Sequence, residues 1–586
     1  MKTIPHLRRQ RGHALTIALV FLVISLAILA SMLTLTSGES ATTARNNLYN
    51  SSIAAAEAAT EQVIAHMNRD FVNQALGSGV SNYTSLVPSQ TGWPVQYEFS
   101  DYDGNAGTGV QSLGPLTATN LDSQFSGLYG MVLPYRVIST AKPLTQTNLS
   151  ATVSQSFQLA IIPLFQFAIF YGLDMEINPG ANMKVNGKVH GNGELFLAPN
   201  SSATLEFQDD VTAVGDINYS RSTNDPAYGS AKSMPVFDIT NMPANASSLS
   251  VPIGTNNSPS AVQQILEPPP PGEDPNSAMG QERFYNLADI IISNSAGGIK
   301  VMGGAWNNFA VIAPDVTNGA SSSYSFVTNT TFYDYREGKT IRSTDINVGK
   351  FRTWITNTAS GGGATLNTSV NLLKSHDINS VYVLDGRSQS GSILNAARAV
   401  NGAQLPADGL SISTPMPLYV KGHYNLNNGD TTAGQTNTVN TKPAALIGDA
   451  ITILSTSWSD NYTSGTSLSS RTPGNTTVNA AVIAGIVESA TVFGTKHYSG
   501  GVENYLRLLE NWSGGYTLTY NGSMIALFAS RYGTNFWQPT GNYYNAPSRK
   551  WAFDMNFRDK DRLPPLTPQA RKLVRGQWQV LPPPGT

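Results

Sequence analysis

The sequence predicts a mainly β protein, in which one long N-terminal transmembrane α-helix is followed by a large β-rich body. Three observations lead to this class. An uncharged apolar run lies near the N-terminus, the chain is rich in Gly, Asn, Ser and Thr, and short strand-like segments repeatedly end at Gly or Asn. Gly and Asn suit turns, whereas Thr is well accepted in strands, so this composition is typical of β-rich extracellular proteins.

Composition excludes several function classes. Charged residues are 13% of the 586 residues, against roughly 25% in an average soluble protein. The formal net charge of −2 gives no overall attraction to nucleic acid. The absence of cysteine excludes disulfides, Cys-ligated zinc, iron–sulfur clusters and thiol catalysis. Because 40% of the residues are hydrophobic, the chain is not expected to be disordered.

The N-terminal segment has the length and charge pattern of a membrane helix. Residues 13–38 contain no Asp, Glu, Lys or Arg. As a helix at about 1.5 Å per residue, Ala14 to Thr36 is roughly 35 Å long, which spans a hydrocarbon core of about 30 Å. Basic residues without an accompanying acid precede it: Lys2, Arg8, Arg9 and Arg11. This flank predicts a cytoplasmic N-terminus and an exported body.

Three interpretations of this segment stay open. A secretory signal peptide has an apolar region of about 7–15 residues before its cleavage site, which is shorter than this run. A plain uncleaved anchor is the second interpretation. The third rests on Arg11-Gly12, directly before the run, and on residues 39–76, which lack Gly and Pro and are Ala-rich, so that the helix can continue.

A short basic leader that ends in Gly12 before an unbroken apolar helix resembles the prepilin processing site of type IV pilins and pseudopilins. The resemblance implies that prepilin peptidase cuts between Gly12 and His13. It also implies a single-pass protein of the bacterial inner membrane, with the body in the periplasm or at the cell surface. The expected partners are prepilin peptidase, other pilins or pseudopilins and membrane lipid.

The continuation of the helix resembles one pilin class in particular. The stretch 54–59, Ala-Ala-Ala-Glu-Ala-Ala, looks like the Ala-Ala-Glu-Ala segment of PilX-type minor pilins, and the resemblance covers about residues 8–70. Major pilins carry Glu at the fifth mature position, which here is Ile17. The implied role is therefore a minor or tip subunit of a type IV pilus or a type II secretion-like system, and not a shaft subunit.

This reading assigns two sets of helix residues. Lipid contact is expected along the apolar run, represented by Ala14, Phe21, Leu29 and Leu35. Packing against other pilin helices is expected from small residues, namely Ala54, Ala55, Ala56, Ala58 and Ala59.

The rest of the chain divides by composition. The predicted regions are a leader at 1–12, the helix at 13–76, a small β-region at 77–160, a body at 161–535 with a Pro-rich linker at 267–275, and an aromatic C-terminal cap at 536–586. In the body, three- to five-residue strands end at Gly or Asn corners, which favours a parallel β-helix or solenoid. A β-sandwich array is the alternative. Apolar spacing at Val502, Leu506 and Leu509 also predicts a short amphipathic helix within 498–512.

No catalytic, cofactor-binding or metal-binding residue is expected. Outside the leader region the histidines are scattered and form no HxH or HExxH pattern. The sequence Gly386-Arg-Ser388-Gln-Ser390 departs from a nucleophile elbow at its last position. The acids that come nearest to a sugar-cleaving site or a calcium-tolerant corner are Asp209, Asp210, Asp385 and Asp449.

The sequence therefore favours a structural or assembly protein of the envelope without enzymatic activity. The alternative is a membrane-anchored carbohydrate-binding or polysaccharide-acting β-helix protein. In that alternative a surface glycan is the partner and stacks on exposed aromatic side chains, for which Trp458, Trp512 and Trp537 are the candidates. The other interpretation of these three residues is packing in the core or in the C-terminal cap.

Overall fold

The first element of the protein is a single long helix. The computed structural model describes residues 13–76, 79–121, 125, 127–146, 148–238, 243–304, 310–312, 315–317, 321–426, 434, 436–537 and 543–582. Helix α1 spans Ala14–Val72, close to the predicted 13–76. The predicted leader at 1–12 lies outside the described residues.

A small antiparallel sheet packs on the C-terminal half of α1. Its central strands are long, and each pairs with the next in the order β1, β4, β5 and then a strand at Gln569–Leu581, while β2 and β3 also pair with β4. We call α1 from residue 52 onwards together with this sheet the head. The first five strands are β1 Tyr97–Ser100, β2 Gly109–Ser112, β3 Thr117–Asn120, β4 Tyr129–Pro143 and β5 Ala151–Pro163.

After β5 the chain winds into stacked parallel strands. Strands β6, β9, β12 and β15 form one ladder, and β7–β10–β13 and β8–β11–β14 form two more. Equivalent residues in successive coils pair directly, as Ile169 does with Val189. These strands are β6 Ile169–Tyr171, β7 Met175–Ile177, β8 Met183–Val185, β9 Val189–Gly191, β10 Leu195–Leu197, β11 Leu205–Phe207, β12 Val211–Ala213, β13 Ile217–Asn218, β14 Val236–Phe237 and β15 Ala244–Asn245.

A largely irregular return segment, residues 246–289, then carries the chain to the other end of the stack. It holds three short helices, α2 Pro259–Val262, α3 Ala278–Glu282 and α4 Phe284–Leu287. The predicted Pro-rich linker at 267–275 lies in this segment, where Glu273 is fixed by Arg283, with 2.7 Å between Oε2 and Nη2. This stretch therefore joins two halves of one stack and does not separate two domains.

The second half of the body runs back toward the first. One ladder is β16–β23–β25–β27–β30–β35, and another runs through β22, β24, β26, β29, β34 and β36. The elements are β16 Ile290–Ser295, β17 Gly298–Gly303, β18 Ala310–Val311, β19 Asp315–Thr317, β20 Ser321–Ser323, β21 Val327–Asp334, β22 Lys339–Asn347, α5 Val348–Trp354, α6 Ala364–Lys374, β23 Ser380–Asp385, β24 Ile393–Gly402, β25 Leu410–Ser413, β26 Leu418–Tyr424, β27 Ala444–Gly448, β28 Ile451–Leu454, β29 Thr476–Asn479, β30 Ala481–Ala484, β31 Ala490–Val492, β32 Thr495–His497, β33 Arg507–Leu508, β34 Thr517–Gly522, β35 Met524–Ala526, β36 Ser548–Phe553 and β37 Gln569–Leu581.

The two halves meet in the middle of the stack. Strand β6 pairs with β9 on one side and with β35 on the other, in parallel on both sides. The chain thus enters the stack at its centre, runs to one end, returns to the opposite end and winds back. We call residues 169–245 and 290–553 together the coil stack, and the junction of β6 with β35 the seam.

The predicted class, a β-rich body after a long N-terminal apolar helix, is confirmed. The main ladders of the coil stack are parallel, as stacked coils require, whereas sandwich sheets pair antiparallel strands. Antiparallel pairing in the body occurs at hairpins such as β16–β17, β21–β22 and β31–β32. One hydrophobic cluster, from Leu121 to Val574, runs through the coil stack and into the head sheet.

Two local predictions are corrected. The stretch 536–586 does not form one cap, because β36 extends the coil stack while β37 pairs with β5 over eleven residue pairs in the head. The predicted helix at 498–512 is reduced to a 3-10 turn at Val502–Asn504, followed by β33. A helix with one apolar face does not fit here, since Tyr505, Leu506, Leu508 and Leu509 are all buried.

Candidate functional site

The N-terminal half of α1 is exposed in the structure, and its residues 14–38 are uncharged and mostly apolar. Every residue from 13 to 47 is exposed, including the predicted lipid-contacting residues Ala14, Phe21, Leu29 and Leu35. Among the described residues α1 is the helix that is long and apolar enough to cross a membrane. Large apolar side chains on the surface of a protein mark a region that is covered by lipid or by another chain.

The start of this helix bears on the predicted cleavage site. Gly12 lies outside the described residues, and His13 is the exposed N-cap residue, whose carbonyl oxygen accepts from the amide of Ile17 at 2.9 Å. Its side chain makes no capping hydrogen bond. Cleavage between Gly12 and His13 stays a prediction.

The Ala-rich stretch turns out to pack inside the protein. Ala55, Ala56 and Ala59 are buried in a cluster with side chains of the head sheet: Tyr97, Phe99, Ala141 and Val153. Small side chains allow the helix to lie close to the sheet. The predicted role of these three residues in packing against other pilin helices is therefore corrected to packing against the chain's own sheet. Ala54 is exposed and Ala58 half-buried, so the packing role expected of these two stays a prediction.

The last turns of α1 extend this contact. Val63, Ile64, Met67 and Phe71 are almost fully buried. They form a cluster with apolar residues of the sheet, Val110, Tyr135, Val137, Phe157 and Leu159. The helix therefore has two halves with opposite surroundings: a bare apolar half and a half that is part of the head core.

A polar cluster holds the C-terminal end of α1 to the body. Gln74 adopts a φ of 58°, in the left-handed region, and its Nε2 donates to Oε1 of Glu282 at 3.1 Å. Arg571 of β37 donates to Oε1 of Gln74 at 3.1 Å. Burial raises the pKa of Glu282 to about 7, partly opposed by the positive charge of Arg571. The head, the return segment and the end of the helix thus meet at one point.

The carboxylates singled out in the sequence are structural. Asp385 is buried in an ion pair with Arg387. Asp449 accepts from the backbone amides of residues 531–533. Asp209 and Asp210 both pair with Lys188. Across the described part of the chain, no group of three or more His, Asp or Glu side chains is arranged to hold a metal ion.

The histidines likewise lie apart. His190 is buried with its ring stacked on Phe170 at a centroid distance of 5.3 Å. Burial lowers its pKa to about 4. It is therefore a neutral core residue at physiological pH.

The tryptophans proposed as glycan platforms are mostly core residues. Trp458 is 3% exposed and Trp512 is 1% exposed, so the prediction that they are exposed is wrong. Trp537 is half-buried against Tyr544, with ring centroids 4.8 Å apart. The sequence pattern does not distinguish a buried Trp from an exposed one, because the short strands around it are apolar on more than one side.

Sequence reasoning also missed buried arginines of the body. Arg398 pairs with Asp345 and Asp460, with 2.6 Å and 2.7 Å between the charged atoms. Arg336 is buried beside a cavity at the seam. In the sequence, Arg398 and Arg336 look like ordinary surface charges. Only the folded chain buries them and brings Asp345 and Asp460 to Arg398.

The chain has little similarity to known proteins. No protein-family model matches the chain, and no curated protein matches it. Among solved structures, it is similar to the competence-associated pilin ComZ from Thermus thermophilus, at 10% identity over 91% of this chain and 97% of that chain, with a TM-score of 0.25.

Proposed function

We propose that this chain is a structural subunit of the bacterial envelope, a minor pilin or pseudopilin-like protein that displays a β-rich body. The observation that carries the proposal is the division of α1. Its residues 14–38 are uncharged, mostly apolar and exposed throughout, while the part from residue 52 onwards is built into a small antiparallel sheet. An anchor alone needs only the first half, whereas a filament subunit needs a helix held rigidly by its own head.

The proposed topology follows from charge. The basic residues that precede the apolar run keep the N-terminus in the cytoplasm, and the body lies in the periplasm or at the cell surface. Before assembly, the exposed half of α1 lies in lipid. In the assembled state it packs against the helices of other pilins, and prepilin peptidase acts before that step.

The position in a filament is proposed from Ile17 and from the body. A shaft subunit pairs an acid at this position with a neighbour, because an unpaired acid in the membrane is costly. Ile17 cannot make that pair. A coil stack inserted into the head also adds a large projecting mass to each subunit. Both features favour a tip or minor role with a noncovalent mechanism.

Processing tests the proposal directly. The Gly12→Leu variant, produced in cells with and without prepilin peptidase, should keep its full-length mass, whereas the parent protein loses residues 1–12 only when the peptidase is present. Gly38→Leu is the matched control, because Gly38 lies on α1 with open space around it and should be processed normally. Mass spectrometry of the mature protein measures the processing. If Gly12→Leu is processed like the parent protein, the assignment as a prepilin is contradicted.

Assembly can be tested separately by crosslinking. The chain contains no cysteine, so a single introduced cysteine reports one position. Ala54→Cys, on the exposed side of α1, should form crosslinks to neighbouring pilins in membranes. Ala56→Cys, buried against the chain's own sheet, should not. Crosslinking from neither position would leave a plain anchor as the better description.

A further inference from the structure

A small cavity lies at the seam of the coil stack. Its volume is about 70 Å³. The walls come from the first coil, at Tyr171 and Glu176, and from stretches that follow β30, at 485–489 and 499–507. Arg336, from the turn between β21 and β22, forms another part of the wall. The cavity thus exists because the first and last coils of the chain meet here.

Arg336 is the unusual group in this wall. It is 5% exposed, and its Nε donates to the carbonyl oxygen of Asn535 at 3.1 Å. Among the residues that the structure describes, neither terminal nitrogen of this guanidinium makes a hydrogen bond or an ion pair. The neighbouring acids are already engaged: Glu337 by Arg507 at 2.7 Å and Asp334 by the hydroxyl of Tyr419 at 2.6 Å.

Two further wall groups have unused hydrogen-bonding capacity. Oε1 of Glu176 accepts from the hydroxyls of Ser489 and Ser499, while its Oε2 is buried without a partner. The buried hydroxyl of Tyr171 also has none. Burial raises the pKa of Glu176 to about 7, an effect that the two serine hydroxyls partly oppose. Near neutral pH this carboxyl can therefore both accept and donate.

The mouth of the cavity has a different character. Asp174 and Glu488 are exposed acids on its rim. The loop 219–229 and the β31–β32 hairpin stand beside it, joined where Thr491 donates to Asn224 at 2.9 Å. Tyr228, on the loop, is 51% exposed, and the ammonium of Lys496 lies 5.1 Å from its ring centroid. Phe493, between β31 and β32, is fully exposed. Neither ring is among the residues that line the cavity.

These features limit the chemistry of a ligand. Acids on the rim repel an anion, and the buried guanidinium of Arg336 repels a cation. A neutral group with several hydroxyls avoids both penalties. It can accept from a guanidinium and exchange hydrogen bonds with a carboxyl, and the exposed ring of Phe493 is available on the neighbouring hairpin.

We propose that the seam cavity binds the terminal residue of a neutral glycan, with sugar hydroxyls on Arg336 and Glu176. The cavity encloses only one edge of a sugar ring, and the remainder would lie at the mouth, between the loop and the hairpin. This site is distinct from the tryptophans suggested by the sequence. The proposal does not depend on leader processing or filament assembly.

The test uses the full-length protein in a zwitterionic detergent, because detergents with sugar headgroups would compete. Saturation-transfer NMR is recorded separately with glucose, galactose, mannose and N-acetylglucosamine, and with glucuronate as an anionic counterpart. At least one neutral sugar should bind, and glucuronate should bind more weakly. Arg336→Gln, which removes the guanidinium, and Glu176→Leu, which removes both the donor and the acceptor at similar size, should each weaken that binding by roughly tenfold.

Arg352→Gln is the matched control, because Arg352 is exposed on α5, and it should bind like the parent. Thermal unfolding of each variant establishes that it is folded. Should Arg336→Gln fail to fold, Glu176→Leu, whose side chain has a similar size, decides the outcome. The proposal is overturned if no neutral sugar binds, if glucuronate binds more tightly than the neutral sugars, or if folded variants bind as the parent does.

Discussion

Arg571 donates a hydrogen bond of 2.9 Å from its Nη1 to the carbonyl oxygen of Phe71, which joins β37 to the last turn of α1. The same strand pairs with β5, from Gln569 opposite Pro163 to Leu581 opposite Thr152. The head is thus completed by segments from opposite ends of the chain. The whole coil stack is inserted between two neighbouring strands of one small sheet.

Removing residues 569–586 should open the head. Without β37, the edge of β5 is exposed and the helix end loses its contact with Arg571, so we expect residues 52–72 and β4–β5 to become protease-sensitive first. Limited proteolysis with mass spectrometry of the fragments measures this. Removing only 583–586 leaves β37 intact and is the control. First cleavage within 290–528 would indicate that this segment mainly protects the coil stack.

Enlarging a buried alanine of the helix should destabilise the head. Ala56 is fully buried against the sheet, and adding a Leu side chain to a well-packed core costs about 1–3 kcal/mol. Ala56→Leu is therefore expected to lower the free energy of unfolding by that amount in urea titration. Ala54→Leu, on the exposed side, should change stability very little. Equal effects at the two positions would contradict the packing described.

Truncating Arg398 should strongly destabilise the coil stack. Its guanidinium pairs with Asp345 and Asp460 and lies 4.8 Å from the ring centroid of Phe332. Removing one partner of a buried ion pair costs about 3–5 kcal/mol, because the remaining charges are left buried. Arg398→Ala should show that loss in chemical denaturation. Arg558→Ala is the control, because Arg558 is exposed in its pair with Asp209, and it should lower the free energy of unfolding by less than about 1 kcal/mol. Similar losses for Arg398→Ala and Arg558→Ala would contradict this prediction.

The protein should be less stable at pH 8 than at pH 5. Burial raises the pKa of Glu510 from its ordinary 4.5 to about 7, against the opposing hydrogen bonds from Ser455. Between these values the folded state holds a proton that the unfolded chain has released, so stability falls as the pH rises. Protonation of Glu510 therefore contributes about 3 kcal/mol to the free energy of unfolding at low pH, and this contribution is lost as the pH rises through about 7. Glu176 and Glu282 have pKa values raised in the same direction.

Unfolding titrations at several pH values check this slope. Glu510→Gln cannot release a proton, so its stability should fall by less between pH 5 and 8. Glu57→Gln, exposed on α1, should follow the parent. A parent stability that rises over this range would show that the buried glutamates are not protonated in the folded protein.

Much of the helix could be predicted without the structure. An uncharged apolar run followed by an Ala-rich stretch without Gly or Pro leads directly to Ala14–Val72, since helix formation depends on local propensity and length. The side of the helix that the head covers was not predictable. Ala54 and Ala55 are adjacent residues of the same type, yet Ala54 is exposed and Ala55 is buried, because the position of the sheet determines which face of the helix is covered.

The candidate site shows the same division. Nothing local distinguishes Arg336 from Arg352, although one is buried beside a cavity and the other faces solvent. For Trp458 and Trp512 the sequence left both a surface position and core packing open, and both residues lie in the core. Burial of such residues depends on strands from distant parts of the chain, whose pairing a short strand does not encode.

The sequence by itself therefore determined a membrane-type helix and a β-rich body of short strands, because hydropathy and turn residues act over a few neighbouring positions. Only the tertiary structure decided that β37 returns to β5, that the coil stack is inserted between them, and that its first and last coils meet at a seam. Parallel coils accept many similar strands as neighbours. Which of them pair is settled by the packing of the whole core, and no single segment specifies it.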